Sequence, residues 1–347
     1  MKKRVTIHDI ASELNISTTT VNKALSGKPK VSEKMRSLVV ETAASMGYLP
    51  NKSAQALARR ELKIGVIVSK TPEEYSKYIL QGFEKGFEDF RDFNVRGIFK
   101  TIDNLTSTEQ SIKAIRELRT LEVDGIIIQP VMGYKEYVEL IEKTIKSGIH
   151  VVASISKLYD NIGTGCVRIN SKVVGQMAGE FMSLVLPRES KVAVFTSNHE
   201  MQIHREYVEG FKKFINKEKI DIVGVFETKD IEYVAYNLTE EILKKYPDIN
   251  GIYVTSYVSV PVCKCIREHN RHNDIMVIGQ DLFPALVENL INKSLTATIF
   301  QDQFLQGRKA VEMMFNSLTG KKVNGDEYLV IPKLVMESNL SCYKDQY

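Results

Sequence analysis

Val5-Thr6-Ile7-His8-Asp9-Ile10-Ala11, then Ile16-Ser17-Thr18-Thr19-Thr20-Val21, then Leu25-Ser26-Gly27 set out two short helical patterns separated by a break. Thr6 is an expected N-cap, and Asp9 three residues later completes a capping-box variant. Ile10, Ala11 and Leu14 form an apolar stripe at helical spacing. Asn15-Ile16-Ser17 interrupts it, and Ser17 or Thr18 starts a second helix with Val21, Ala24 and Leu25 inward. Gly27 and Pro29 end that helix. Ser32 caps a third helix running to about Met46, with Met35, Leu38, Val39 and Ala43 inward and Gly47 as its stop. Two short helices joined by a tight turn can set the second into a major groove while the first rests on the backbone. Ser17, Thr18, Thr19, Asn22 and Lys23 line the outer face of that second helix. Threonine hydroxyls suit base edges, threonine methyls suit thymine, Asn22 suits adenine and Lys23 suits guanine. The pattern alone leaves open a three-helix domain built for protein contacts.

Charge leans towards DNA. Residues 1–63 hold 12 Lys/Arg against 5 Asp/Glu, a net of +7, while the rest of the 347-residue chain nets −3. A basic head on a mildly acidic body fits a polyanionic partner. Beyond residue 62 the texture changes. Apolar runs at 64–68, 95–99, 125–128, 150–155, 191–195, 221–226, 251–255 and 275–279 read as strands, with helical stretches between them. Strands alternating with helices argue for parallel sheets, and two successive sets argue for two similar lobes.

These ordered matches in the head resemble the signature of the lactose-repressor (LacI/GalR) family of bacterial transcription regulators. So do Val31-Ser32 through Arg36 and Gly47-Tyr48-Leu49-Pro50-Asn51. The resemblance implies an all-α helix-turn-helix head, residues 1–50, and a hinge helix, residues 51–62. It implies an α/β sensor over 63–347, made of two doubly wound, parallel-sheet lobes like a periplasmic binding protein. The first lobe is expected at about 63–160 and 301–320, and the second at about 161–300 and 321–347. Thr18, Thr19 and Lys23 fall at base-reading positions; Thr6, Ser17 and Asn51 fall at phosphate contacts. Asn22-Lys23 departs from a common Ser-Arg pair, which leaves the operator sequence open.

The hinge, Asn-Lys-Ser-Ala-Gln-Ala-Leu-Ala-Arg-Arg over 51–60, favours helix through alanine but is too short to be stable alone in water. It reads either as a basic linker or as a segment that folds on DNA. By resemblance Leu57 wedges between base steps in the minor groove beside its twin from a second chain. That implies a homodimer on near-palindromic double-stranded operator DNA.

In the sensor the resemblance implies a small, sugar-like effector held between the lobes. Tyr75, Arg205, Asp281 and Gln301 match family ligand positions. Ser256-Tyr257 stands where Asn-Asp is common, so an acidic group is lost there. The pocket is then expected to prefer a ligand with fewer hydroxyls, an anionic group beside Arg205, or an aromatic contact to Tyr257.

No phosphate-binding glycine loop, nucleophile elbow or zinc-spaced cluster occurs, so neither an enzyme nor a cofactor nor a metal site is expected. Cys166, Cys263, Cys265 and Cys342 form no metal pattern and read as reduced thiols. No apolar run reaches the ~18 residues of a membrane helix. The polar start lacks the apolar core of a secretory signal, which makes a sugar-binding transport protein the weaker alternative and a cytoplasmic location the expectation. A regulator controlled by a protein corepressor is the other alternative.

Overall fold

The computed structural model describes residues 5–25, 29, 31–48, 60–131, 135–158, 162–215, 220–321 and 326–346. The chain divides into two units, residues 1–60 and 61–347. Asn51 and Leu57 of the expected hinge lie outside the described residues.

The first unit holds α1 (Ile7–Glu13), α2 (Thr18–Leu25) and α3 (Glu33–Ser45). Thr6 and Asp9 close a reciprocal capping box on α1, and Ser32 caps α3 through the Met35 amide. Gly47 follows at φ +69°, left-handed backbone that a side chain would strain. Ile10, Ala11, Val21, Ala24, Val39 and Ala43 form the small core. Leu38, expected inward, is instead exposed at 46%, because Met35, Val39 and Ala43 already fill the inner face of α3.

The second unit contains two six-stranded sheets. The first comprises β1 (Leu62–Ser69), β2 (Val95–Ile102), β3 (Gly125–Ile128), β4 (His150–Ile155), β5 (Gly165–Ile169) and β11 (Glu327–Val330), in the order β11-β5-β4-β3-β1-β2. The second comprises β6 (Lys191–Thr196), β7 (Asp221–Glu227), β8 (Ile249–Val254), β9 (Met276–Gln280), β10 (Ala297–Phe300) and β12 (Lys333–Val335), in the order β12-β10-β9-β8-β6-β7. Every pairing is parallel except β10 with β12. Apolar clusters cover both faces of each sheet, which is why central strands such as β3 and β6 read as unbroken apolar runs. Both sheets are doubly wound, and both reverse strand order beside their first strand, where ligand crevices open.

The lobe boundaries differ from the sequence expectation. β5 and β11, placed in the second lobe by the sequence reading, belong to the first sheet. Val152 on β4 pairs with Gly165, and Cys166 on β5 pairs with Glu327. These are short strands, one interrupted by Arg168 and the other carrying exposed Tyr328 and Leu329. Their membership is set by edge pairing across the chain, which no local pattern encodes.

Helices α4 (Glu73–Asp89), α5 (Thr108–Thr120) and α6 (Lys135–Lys146) flank the first sheet. α7 (Ser171–Val185), α8 (Gln202–Ile215), α9 (Glu232–Lys245), α10 (Ser259–Glu268) and α11 (Pro284–Ile291) flank the second, and α12 (Gln303–Leu318) returns from β10 to the first lobe. α7 and α8 cross at glycines: a Cβ on Gly210 would collide with the Lys172 carbonyl. That close crossing fixes which face of α8 looks inward.

Candidate functional site

In the head, Ser17, Thr19 and Asn22 are exposed on α2, with Thr18 and Lys23 half-buried beside them. The five expected DNA-facing residues of α2 thus occupy its solvent side and the turn before it, while Val21 and Ala24 anchor the opposite side. Thr6 and Ser17 hold capping bonds: the Thr6 hydroxyl donates to Asp9 at 2.7 Å, and the Thr20 amide donates to Ser17 Oγ at 3.1 Å. Their hydroxyls therefore order the helix starts, and helix N-terminal amides are groups suited to phosphate.

In the sensor, a cavity of about 500 Å³ opens where the carboxyl ends of the two sheets meet. Thr71 and Tyr75 follow β1, Asn104 to Thr106 follow β2, Pro130 follows β3, and Ile155 and Ser156 end β4. From the other lobe come Ser197 and Asn198 after β6, Lys229 and Asp230 after β7, Thr255 to Tyr257 after β8, and Asp281 after β9. His204 and Tyr207 of α8 and Gln301 of the crossover complete it. Of the expected ligand residues, Tyr75, Ser256, Tyr257, Asp281 and Gln301 come together here.

Arg205 does not line this cavity. It is exposed, and its guanidinium donates to the His199 and Glu200 carbonyls at 2.9 and 2.6 Å. His204, Tyr207, Val208 and Phe211 form the buried stripe of α8, so position 205 falls on the outer side of the helix. The expected partner for an anionic ligand is thereby lost from the wall. Tyr207, two residues on, reaches the cavity instead and donates to Gln301 Oε1 at 3.0 Å.

Asp281 anchors a buried polar network. Its Oδ1 accepts from Gln301 Nε2 at 2.9 Å and from the Gln303 side chain. Gln301 also donates to Gln280, which in turn donates to the Tyr253 hydroxyl at 2.8 Å. Burial pushes the Asp281 carboxyl up to about 7; the two amide bonds oppose that rise and the charge of Asp230 adds to it. Burial likewise pulls His204 down to about 4, so it stands neutral, its Nδ1 3.1 Å from the Thr255 hydroxyl. Among the described residues no group of His, Cys, Asp or Glu could hold a metal ion, and no helix is long and apolar enough to cross a membrane.

Comparison with known proteins matches this division. Residues 6–51 fit the model of bacterial regulatory proteins of the lacI family, and residues 64–322 fit a periplasmic binding protein domain. The chain belongs to the LacI family. This LacI-family protein is a DNA-binding transcriptional regulator with a periplasmic-binding-type sensor. It is 28% identical over 340 residues to the HTH-type transcriptional regulator pepR1 of Lactobacillus delbrueckii subsp. lactis, covering 95% of this chain and 96% of that one. It is 23% identical over 330 residues to catabolite control protein A of Priestia megaterium, covering 92% and 94%. The fold of its sensor is shared with a solute-binding protein from Burkholderia graminis solved with D-arabinose. There the TM-score is 0.76 at 21% identity, covering 82% of this chain and 98% of that one. A solute-binding protein from Actinobacillus succinogenes solved with D-allose gives a TM-score of 0.75 at 20% identity, covering 82% and 100%.

Among the lining residues of this LacI-family sensor that escaped the sequence reading are His204, Tyr207 and Asp230. The helical stripe 204, 207, 208, 211 carried a signal for the first two, since polar members of an otherwise apolar stripe face whatever that stripe covers. Asp230 carried none. It sits at φ +57° in a loop after an edge strand, and the Tyr257 hydroxyl donates to its carbonyl at 2.8 Å.

Proposed function

We propose that this LacI-family regulator is a repressor, bound as a homodimer to a near-palindromic operator, and that a small sugar-like effector in the inter-lobe cavity sets its operator affinity. The observation that carries this reading is the cavity itself, ringed by tyrosines and amides from both lobes and by the carboxyls of Asp230 and Asp281 from the second. Concave sites with a few convergent polar groups suit small ligands, and tyrosine faces with carboxyl acceptors suit a polyhydroxyl ring. The sugar-bound solute-binding proteins that share the fold support the same ligand class. Thr18, Thr19, Asn22 and Lys23 read bases in this proposal, Thr6, Ser17 and Asn51 hold phosphates, and Leu57 is the minor-groove wedge.

Operator affinity of the full chain, measured with and without sugars that raise its melting temperature, tests the proposal. A ligand that binds only the folded protein raises that temperature, and its coupling to DNA is expected at about 5–150-fold. A stabilising sugar that leaves operator affinity unchanged would refute the effector role.

A further inference from the structure

Among the described residues, two buried oxygens in the cavity wall have no hydrogen-bond partner: Asp230 Oδ1 and Ser256 Oγ. Ser256 is only 7% exposed. The bond from the Tyr257 hydroxyl to the Asp230 carbonyl ties together the two loops that carry this carboxylate and this hydroxyl. The loop after β8 lacks the acid expected at 256–257, and Asp230 supplies one from the neighbouring loop. Orphaned acceptors in a preorganised wall mark where a ligand donor belongs, because leaving them desolvated and unpaired is costly.

Among the described residues no ion pair balances the charge in that wall. Asp281 stands near enough for its carboxyl to respond to the charge of Asp230. Among the described lining residues the only basic side chains are Lys229, which is exposed, and His204, which burial holds neutral. No ion pair within 4 Å joins a described residue to either carboxylate. The one arginine expected here, Arg205, spends its guanidinium on carbonyls outside the cavity.

We infer that the effector is a polyhydroxyl molecule carrying a protonated amino group, an amino sugar in chemical class, with its ammonium against Asp230 Oδ1 and Ser256 Oγ. This deepens the sugar-like effector reading and rests on it. An ammonium brings a cation to the Asp230 carboxylate and offers only donors, which the carboxylate oxygen and a lone pair of the Ser256 hydroxyl can both accept. Its hydroxyls fall to Asp281 and the tyrosines. The same wall disfavours phosphorylated or acidic sugars, whose anion would face two carboxyls and no arginine. A charge-assisted bond is roughly twice as strong as a neutral one, which translates to about tenfold in affinity over the hydroxyl counterpart.

The test is calorimetry and thermal shift on the full chain with three matched sets of probes. These are D-glucosamine, D-galactosamine and D-mannosamine; D-glucose, D-galactose and D-mannose; and the 6-phosphates of the latter three. At least one amine is expected to bind about tenfold tighter than its hydroxyl counterpart. Asp230→Asn, which keeps size and one acceptor oxygen but removes the charge, is expected to reduce that preference below about threefold while binding of the neutral sugar moves little. Equal or tighter binding of a neutral sugar, or tightest binding of a 6-phosphate, overturns the amine and leaves the sugar-like effector standing. An amine preference that survives Asp230→Asn overturns the placement of the ammonium. Absence of binding in all three sets overturns both the amine and the sugar-like reading.

Discussion

At the scale of single residues, Asp281 and His204 titrate in opposite senses within one wall. Asp281 is raised to about 7, so between its free value, about 3.9, and 7 the folded state holds a proton that the unfolded state has released. Its contribution to stability is present at low pH and lost as pH rises through 7. His204 is depressed to about 4, so its contribution is present above the free value, about 6.5, and lost as pH falls towards 4. The two slopes oppose each other between about 4 and 6.5. Asp281→Asn keeps the acceptor for Gln301 and Gln303 but removes the carboxyl. Its stability relative to wild type should therefore climb between pH 5 and pH 8, by at most about 1.4 kcal/mol per pH unit. Denaturant titrations of both proteins at pH 5, 6, 7 and 8 check this, and parallel profiles would contradict the raised carboxyl. In the head, Lys23→Ala should relax preference at one base pair by about 1–3 kcal/mol, read from affinities for a set of single-base operator variants. A uniform loss across the set would reassign Lys23 to phosphate.

At the scale of elements, the site depends on how α8 is turned. The Gly210 crossing lets the helix approach α7 at backbone distance, which points His204 and Tyr207 at the cavity and Arg205 away from it. Gly210→Ala must push the two backbones apart. Overpacking of that kind costs about 1–3 kcal/mol, so a clear fall in melting temperature is expected, with weakened ligand binding as Tyr207 shifts. Lys212→Ala, at an exposed position of the same helix, should change stability by less than about 0.5 kcal/mol. Equal melting temperatures for Gly210→Ala and wild type would mean that the crossing relaxes freely.

At the scale of the whole sensor, the two lobes are joined by the crossover from β10 to α12. Gln301 lies in it and touches Asp281 and Tyr207 of the cavity. Asp302 follows in left-handed backbone, caps α12 through the Leu305 amide at 3.1 Å and accepts from Lys333 at 2.9 Å. A ligand held by Asp281 and Tyr207 thus competes for the side-chain amide of Gln301, the residue just before the Asp302 cap of a first-lobe helix. An effector biases operator binding only through its differential affinity for two sensor states, and the coupling is reciprocal. Gln301→Ala should accordingly retain measurable effector binding but lose most of the effector-driven change in operator affinity. Full retention of that change would place the coupling elsewhere.

The sequence by itself determined the head and the class of the sensor. Caps at Thr6 and Ser32, the apolar stripes of α1 and α2, and buried strand runs are local signals, because helix and strand periodicity are properties of consecutive residues. It also brought Tyr75, Ser256, Tyr257, Asp281 and Gln301 into view, since the family pattern marks the first turn of the helix after β1, the loops after β8 and β9, and the crossover. Tertiary structure decided what depends on partners distant in the chain. Edge pairing assigned β5 and β11 to the first sheet, the Gly210 crossing rotated Arg205 out and Tyr207 in, and a tyrosine hydroxyl 27 residues away held Asp230. Burial, a property of the assembled lobes, set the protonation of Asp281 and His204 by stripping water from groups whose residue types alone fix only their starting values.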